Sequence, residues 1–222
     1  MKIKTCFFTL FFAFSFLTAS DATVTIDNQE TLSISVETEN LLISSLTDEV
    51  IPHMQLLRLK RENLVHFANS DPIDPEKTAI RCRSWIKRWG SGSPFSAMSV
   101  FTKAGEFVGY AILGFGDDPD TGEEDVAGLS EFALILDCEH WGKGYGTEIM
   151  DAMFFSLAPR LKDEGFDLNG APLQSILYTT SPKNVGMVRI AEKLGLEPKC
   201  ILPPNVPGNP WNTERYFYRI DL

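Results

Sequence analysis

Apolar side chains recur every three or four residues in four segments of this chain, and that period predicts helices. The segments are 50–60, 75–89, 144–162 and 184–194. Asp74 serves as the N-cap of the second, and its predicted apolar stripe includes Ile80, Trp85 and Ile86. Gly195 follows the last segment, and it supplies the left-handed residue that commonly ends a helix.

Shorter segments rich in β-branched and aromatic residues predict strands. They are 40–46, 95–102, 107–115, 129–136, 173–179, 199–202 and 214–220. Residues 21–36 are polar and β-branched, and we interpret them as a linker or a loose first strand. The order of elements predicts a mixed α/β (α+β) fold with a mostly antiparallel central sheet, parallel only near the middle and flanked by helices.

Three alternating glycines, Gly142, Gly144 and Gly146, lie between a predicted buried strand and a predicted helix. Glycines in such a place let backbone amides turn toward one point and let a ligand approach closely. The helix start adds unpaired N–H donors and a partial positive charge. Together these features predict an anion-binding loop suited to a pyrophosphate, with Lys143 as an added charge at its rim.

The loop matches neither of two common nucleotide-binding motifs. It is not a Walker loop, because Lys143 is followed by Gly144 rather than by Ser or Thr. It is not a dinucleotide fingerprint either, because its glycines do not satisfy G-x-G-x-x-G. Taken alone, the loop is therefore also compatible with a plain tight turn that binds nothing.

Two motifs resemble those of the GNAT superfamily of acetyltransferases, and specifically its ribosomal-protein N-terminal acetyltransferase branch (RimJ/RimL-like). Residues 130–137 with 141–148 resemble the fourth strand and acyl-CoA loop of that branch. Residues 181–184 with 192–196 resemble its second half-motif. We therefore assign residues 37–222 to one acetyltransferase domain. The resemblance implies the GNAT fold, in which the parallel pair of strands splays apart.

The resemblance also implies which residues bind acetyl-CoA, the co-substrate. Leu134 and Leu136 at the strand end would pair with the pantetheine arm like an added strand, and a backbone N–H there would stabilise the oxyanion. Asn184 would contact the pantetheine or a catalytic water. The pyrophosphate would be held by the loop residues Trp141, Gly142, Lys143, Gly144, Tyr145, Gly146 and Thr147.

Glu131 is the residue that we predict to be the general base. It is a carboxylate in an otherwise apolar strand, where such groups are rarely placed without a partner or a task. Burial would raise its pKa above the usual value of about 4.3, toward useful basicity. The alternative is a structural carboxylate paired with a neighbouring side chain.

Two positions depart from the pattern of the family. Many GNAT enzymes carry a tyrosine, the acid for the leaving thiolate, where this chain has Ala191. The N-terminal acetyltransferase branch often has a serine where this chain has Met187. The general acid is therefore not identified. These departures favour an alternative function, a non-catalytic acyl-CoA-binding sensor or partner-binding module, whereas Glu131 favours an enzyme.

The charge of the chain bears on the acceptor more than on the fold. The 222 residues carry a formal net charge of −10 at pH 7. Nucleic acid is disfavoured as a partner, because its binding depends on Lys and Arg at phosphates. An amine fits better, and a protein N-terminus, a polyamine and a small amine all remain open. The four cysteines and three histidines lack metal-ligand spacing, so no metal site is expected.

The first 20 residues have a character of their own. Lys2 and Lys4 precede an apolar run from Cys6 to Leu17, and small residues follow it. This layout is typical of a secretory signal peptide, and the run is too short to span a bilayer comfortably. We assign residues 1–20 to a signal-like or targeting segment, and we expect a cytoplasmic enzyme because acetyl-CoA is expected in the cytoplasm. The alternative is a protein that this segment exports or tethers to a membrane. The segment can also be an apolar extension that packs on the domain, or the result of a start codon placed too far upstream.

Overall fold

The computed structural model describes residues 22–67, 71–117, 124–206, 209 and 212–222. The strands in this part are β1 (Thr23–Asp27), β2 (Ser33–Glu37), β3 (Leu41–Ser45), β4 (Ala97–Thr102), β5 (Phe107–Phe115), β6 (Leu129–Leu136), β7 (Asp167–Leu168), β8 (Ala171–Pro172), β9 (Ser175–Thr180), β10 (Cys200–Leu202) and β11 (Arg215–Asp221). The helices are α1 (Ile51–Leu59), α2 (Pro75–Gly90), α3 (Tyr145–Ala152), α4 (Ala158–Asp163) and α5 (Val185–Lys193).

Most of the described strands belong to one sheet, in the order β1-β2-β3-β4-β5-β6-β9-β11-β10. Neighbours pair antiparallel except β6 and β9, which are parallel. The parallel pairing covers Leu129 to Glu131 of β6 and stops there, whereas pairing with β5 continues to Leu136. Strands β6 and β9 therefore separate beyond Glu131. The predicted fold class, a mostly antiparallel sheet with a splayed parallel pair, is confirmed.

Of the two interpretations given for residues 21–36, the linker is wrong for the described residues 22–36, and the strand is correct. These residues contribute β1 and much of β2, which pair with each other over Thr23–Asp27 and Ser33–Glu37. Ile34 and Val36 are 2% and 0% exposed, so this segment packs on the core. Polar and apolar side chains alternate along β2, as expected for a strand with one buried face.

Helix α2 begins as predicted but packs through a different stripe. Asp74 is its N-cap, and its side chain accepts hydrogen bonds from two amides of the first turn. Trp85 is buried, whereas Ile80 is 59% exposed, so the predicted stripe was wrong at Ile80. The reason is geometric. Ile80 lies two positions before the fully buried Cys82, and two residues turn a helix by about 200°.

The predicted helix over 144–162 is divided. A π-helical turn, Met153–Leu157, separates α3 from α4. Pro159 lies in the first turn of α4 and has no N–H to donate to the turn before it, so the regular hydrogen-bond ladder cannot continue there. Wide turns of this kind are often found beside functional sites.

Helix α3 is tied to the other half of the sheet by Glu148. Its carboxylate accepts hydrogen bonds from Thr38 Oγ1 and, at 2.7 Å, from the amide of Asn40 in the turn between β2 and β3. Because Glu148 lies in the first turn of α3, this contact joins the start of the helix to the sheet. The loop that precedes α3 is thereby anchored to the sheet.

The signal-like segment 1–20 lies outside the described residues. Among the helices of the part of the chain that the structure describes, none combines the length and the apolar character needed to cross a membrane.

Candidate active site

The separation of β6 from β9 opens a cleft of about 920 Å³. Glu131 lines it at the point where the two strands diverge. The predicted acetyl-CoA-binding residues that line it are Leu134, Leu136, Trp141, Gly142, Gly144, Tyr145, Gly146, Thr147 and Asn184. Lys143 does not line the cleft. Its ammonium group lies 3.2 Å from the Nδ1 atom of His140 on the exposed rim.

The glycine loop presents an open backbone to the cleft. Gly142 and Gly144 have φ angles of +75° and +90°, and a Cβ atom on either would meet no atom within 4 Å. The amides of Tyr145 and Gly146 open α3 and have no acceptor within the helix. A Cβ atom on Gly146 would lie 2.7 Å from Ile190 Cδ1, so glycine there lets α5 pack closely against α3. The loop thus has both free donors and room for an anion.

One side chain of the loop and two from the segment after α1 hold the loop against the end of β6. Trp141 Nε1 donates to the carbonyl of Leu136 at 3.0 Å. Lys60 Nζ lies 2.8 Å from Asp137 Oδ2, and the side-chain hydrogen bonds of this cluster raise the pKa of Lys60 above its usual value. Asn63 Oδ1 accepts a hydrogen bond from the amide of Cys138 at 2.7 Å. The segment after α1 therefore positions the entrance to the loop.

The carboxylate of Glu131 has a perturbed acidity. Its side chain is open to solvent through the cleft, but the surrounding protein removes much of its hydration. This desolvation raises the pKa of Glu131 to about 7; the negative charge of Asp117 adds to the rise and the positive charge of Arg215 opposes it. No hydrogen bond or ion pair within 4 Å joins the carboxylate to another described residue. The alternative of a paired structural carboxylate therefore finds no support here.

Positive side chains that sequence reasoning missed also line the cleft. They are Lys183, Arg189, Lys193 and Arg215. Among the described residues that line the cleft, Glu131 is the one with an acidic side chain. The cleft is thus richer in positive charge than the chain as a whole, which has a net charge of −10. A signal was present in the sequence, because Arg189 and Lys193 are four residues apart and so share one face of α5. The cleft is therefore suited to an anionic ligand.

Arg215 at the start of β11 is held rigidly at the cleft. Its Nε atom donates to Thr179 Oγ1 and its Nη2 atom to the carbonyl of Thr179, both at 2.8 Å. Two parallel contacts fix the plane of the guanidinium group. No sequence signal pointed to this residue, because its neighbourhood depends on the pairing of β11 with β9.

Asn184 has a structural task as well as a place in the cleft. It caps α5, and its Oδ1 atom accepts from the amide of Met187 at 3.3 Å. Its Nδ2 atom has no hydrogen-bond partner among the described residues and remains available for a ligand.

In the described part of the chain, no cluster of three or more His, Cys, Asp and Glu side chains is arranged to hold a metal ion.

Comparisons with known proteins agree with this geometry. A family model described as an acetyltransferase (GNAT) domain matches residues 40–197. A GNAT acetyltransferase from Bacillus anthracis has the same fold, with a TM-score of 0.62 and 16% identity over 84% of this chain and 98% of that one. RimL, a ribosomal L7/L12 α-N-protein acetyltransferase, gives a TM-score of 0.62 and 14% identity over 90% and 95%.

A solved structure that contains acetyl-CoA also shares the fold of this chain. The microcin C7 self-immunity acetyltransferase MccE, solved with acetyl-CoA and AMP, gives a TM-score of 0.60 and 12% identity over 83% of this chain and 94% of that one. Curated protein sequences yield no match. The family model spans more than half of the chain, and the fold agrees with it. The chain belongs to the GNAT family of acetyl-CoA-dependent N-acetyltransferases.

Proposed function

We propose that this protein transfers the acetyl group of acetyl-CoA to a primary amine by direct attack within a ternary complex. The observation that carries the proposal is the position of Glu131, a carboxylate with a pKa of about 7, in the same cleft as the open glycine loop. A general base is most effective when its pKa lies near the working pH. Bound acetyl-CoA supplies the activated acetyl group as a thioester.

The pyrophosphate of the co-substrate fits the glycine loop. The free amides of Tyr145 and Gly146 and the partial charge of the α3 N-terminus favour an anion there. Gly142 and Gly144 leave the space in front of these amides clear. Lys143 stands at the rim and adds a long-range positive charge. The cationic side chains of α5 extend the same anion-binding surface.

The pantetheine arm fits the gap between β6 and β9. Leu134 and Leu136 line this gap, and on the side facing β9 the backbone of β6 has no strand partner beyond Glu131 in the described part. An extended ligand arm carrying amides can pair with such a backbone as an added strand does. Asn184 offers its free Nδ2 atom at the same gap.

In the chemical step, the amine nitrogen bonds to the thioester carbon while Glu131 takes a proton from the amine. The carbon–sulfur bond breaks, and CoA leaves as a thiolate that water protonates, because Ala191 and Met187 supply no proton. A protein N-terminus is the easier acceptor, because its amine has a pKa of about 7.7–8 against about 10.4 for lysine, a difference of roughly 3–4 kcal/mol at neutral pH. A polyamine and a small amine are the other acceptors that we propose. RimL, with which this chain shares a fold, is described as acting on ribosomal protein L7/L12.

Opposite changes of charge beside Glu131 are expected to shift the pH profile in opposite directions. Activity requires the deprotonated base, so kcat/KM should rise with pH through about 7. Asp117→Asn removes a charge that raises the pKa, so the rise should move to lower pH. Arg215→Gln removes a charge that lowers it, so the rise should move to higher pH. Each shift should be roughly half a pH unit or more.

The measurement is kcat/KM between pH 5 and 9 with one acceptor, so that titration of the acceptor amine is the same for every variant. Glutamine at position 215 keeps a donor for Thr179, which limits structural disturbance. If both variants shift the profile in the same direction, Glu131 is not the group that titrates.

The test of the function itself is release of free CoA from acetyl-CoA in the presence of a mixture of amines and peptides. We expect acceptor-dependent release, with the acetylated acceptor detected by mass spectrometry. The second candidate function, a non-catalytic acyl-CoA-binding sensor or partner-binding module, is favoured by Ala191 and Met187, which carry no proton donor. Tight binding of acetyl-CoA without release in any mixture would decide for the sensor.

A further inference from the structure

Arg215 and the proposed base Glu131 lie on the same face of the sheet. Glu131 pairs with Leu177 across the parallel strands, and Arg215 donates hydrogen bonds to Thr179, two residues further along β9. Side chains two positions apart in a strand point to the same face, and two residues span about 6–7 Å. A separate apolar cluster includes the side chains two positions from each charged residue, and its members are Leu129, Leu177, Leu202 and Phe217. The cluster therefore supports placing both charges on one face.

Arg215 has donors left for a ligand. A guanidinium group has five N–H donors, and Thr179 accepts from Nε and from one N–H of Nη2. The other three, on Nη1 and Nη2, have no partner among the described residues. The buried unpaired atoms of the described part include Arg58 Nε but not Nη1 of Arg215, so solvent reaches this Nη1. Because Arg215 lines the cleft, its free edge is accessible there, and such an edge can bind both oxygens of a carboxylate.

The charge of Arg215 works against the proposed reaction unless the acceptor carries a negative group. It opposes the rise in the pKa of Glu131 that makes this carboxylate a useful base. It also repels the ammonium form of an approaching amine, the main form at neutral pH. Burial lowers the pKa of Arg215 itself, and no carboxylate of the described residues lies within 4 Å to compensate for the lost hydration. A carboxylate on the acceptor would offset all of these effects.

Two other cations of the cleft lie elsewhere. Arg189 and Lys193 belong to α5, which packs against α3 where Ile190 meets Gly146. They therefore flank the glycine loop, the proposed pyrophosphate site. The positive charge that acts on Glu131 is that of Arg215. Arg215 thus lies on the acceptor side of the cleft rather than with the pyrophosphate.

We propose that Arg215 binds a carboxylate of the acceptor, so that this enzyme prefers amines that carry a carboxylate within a few bonds of the nitrogen. This inference rests on the proposed function, because the carboxylate matters only when the amine reaches Glu131. The α-carboxylate of a free amino acid and the acidic side chain of a first residue in a protein share this chemistry. A polyamine lacks it and meets Arg215 as a like charge.

The experiment uses two matched pairs of acceptors. Alanine is compared with alaninamide, and a peptide amide that begins with aspartate is compared with the same peptide beginning with asparagine. The wild type should show the higher kcat/KM, expressed per unprotonated amine, for the acidic member of one pair. The pair that shows the preference distinguishes an α-carboxylate from an acidic side chain.

Arg215→Gln should lower the ratio of acidic to neutral acceptor by roughly ten- to hundredfold, the usual range for a hydrogen bond to a charged group. The loss should appear mainly in KM, because the contact is present as soon as the acceptor binds. Any change in the pKa of Glu131 acts on both members of a pair and cancels in the ratio. Arg215→Lys keeps the charge without the planar fork, so it should retain more of the ratio than Arg215→Gln.

The control is Arg83→Gln, which makes the same change of charge at an exposed residue of α2 outside the lining of the cleft and should keep the wild-type ratio. A wild type that acetylates amines without preferring the acidic member of either pair overturns this inference alone, even if Arg215→Gln does not fold. An unchanged ratio in Arg215→Gln, or an equal fall in Arg83→Gln, also overturns it. A wild type that acetylates none of the acceptors in these pairs or in the wider amine mixture overturns the proposed function as well.

Discussion

Replacing Glu131 with glutamine is expected to lower kcat by about 10²–10⁴-fold, the usual contribution of a general base. Glutamine keeps the shape of the side chain but cannot accept the proton of the amine. Affinity for acetyl-CoA should stay the same, because Glu131 lies at the divergence of the strands and not in the glycine loop. The loss should shrink at high pH, where the acceptor amine deprotonates without help.

The matched control is Glu197→Gln, which makes the same change of charge at an exposed residue outside the lining of the cleft. Steady-state kinetics over pH 6–10 and calorimetry with acetyl-CoA provide the readouts. Full activity of Glu131→Gln at neutral pH would show that the base is another group. A loss equal to that of Glu197→Gln would mean that only the overall charge matters.

Replacing Gly144 with valine is expected to abolish most of the affinity for acetyl-CoA. A Cβ atom at Gly144 would point into open space, where the pyrophosphate is proposed to lie, and a branched side chain would keep the ligand from the amides of α3. Losing two charge-assisted hydrogen bonds, each worth about 1.5–3 kcal/mol, corresponds to roughly a 100-fold or greater loss of affinity.

Backbone strain needs its own control, because valine at a φ of +90° is unfavourable wherever it lies. Gly170, in the turn between β7 and β8, has a φ of +91° and likewise open space around its Cβ position. Gly170→Val should therefore melt at a lowered temperature similar to that of Gly144→Val, yet bind acetyl-CoA normally in calorimetry. A folded Gly144→Val protein with unchanged affinity would show that the glycine loop does not hold the pyrophosphate.

Local patterns in the sequence predicted those features that depend on neighbours along the chain. The period of three and four located α3 and α5, and runs of β-branched and aromatic residues located β5 and β6. Glu131 was identifiable because one carboxylate interrupts an apolar strand. The glycine loop was identifiable because its spacing and its place between a strand and a helix lie within one short segment.

Features made by distant contacts were not predictable in this way. Lys60 and Asp137 are 77 residues apart in the chain, and Thr179 and Arg215 are 36 apart. Ile80 was misplaced because one apolar residue on the solvent side of α2 was counted with the buried ones.

The divergence of β6 from β9 has a consequence for the lifetime of the protein. Without a ligand, β6 carries unpaired backbone groups in the middle of the sheet, on the side that faces β9 beyond Glu131. Unpaired strand edges recruit other chains and lead to aggregation. Acetyl-CoA placed as we propose would cover this edge, and such a ligand would bind only the folded state.

Acetyl-CoA should therefore act as a stabilising ligand, adding about 2.7 kcal/mol to the free energy of unfolding at one hundred times its dissociation constant. An increase of this size in the free energy of unfolding raises the melting temperature of a small domain by several degrees. The amount of this protein that survives proteolysis in a cell should then follow the acetyl-CoA supply, so that a drop in acetyl-CoA removes the enzyme as well as its substrate.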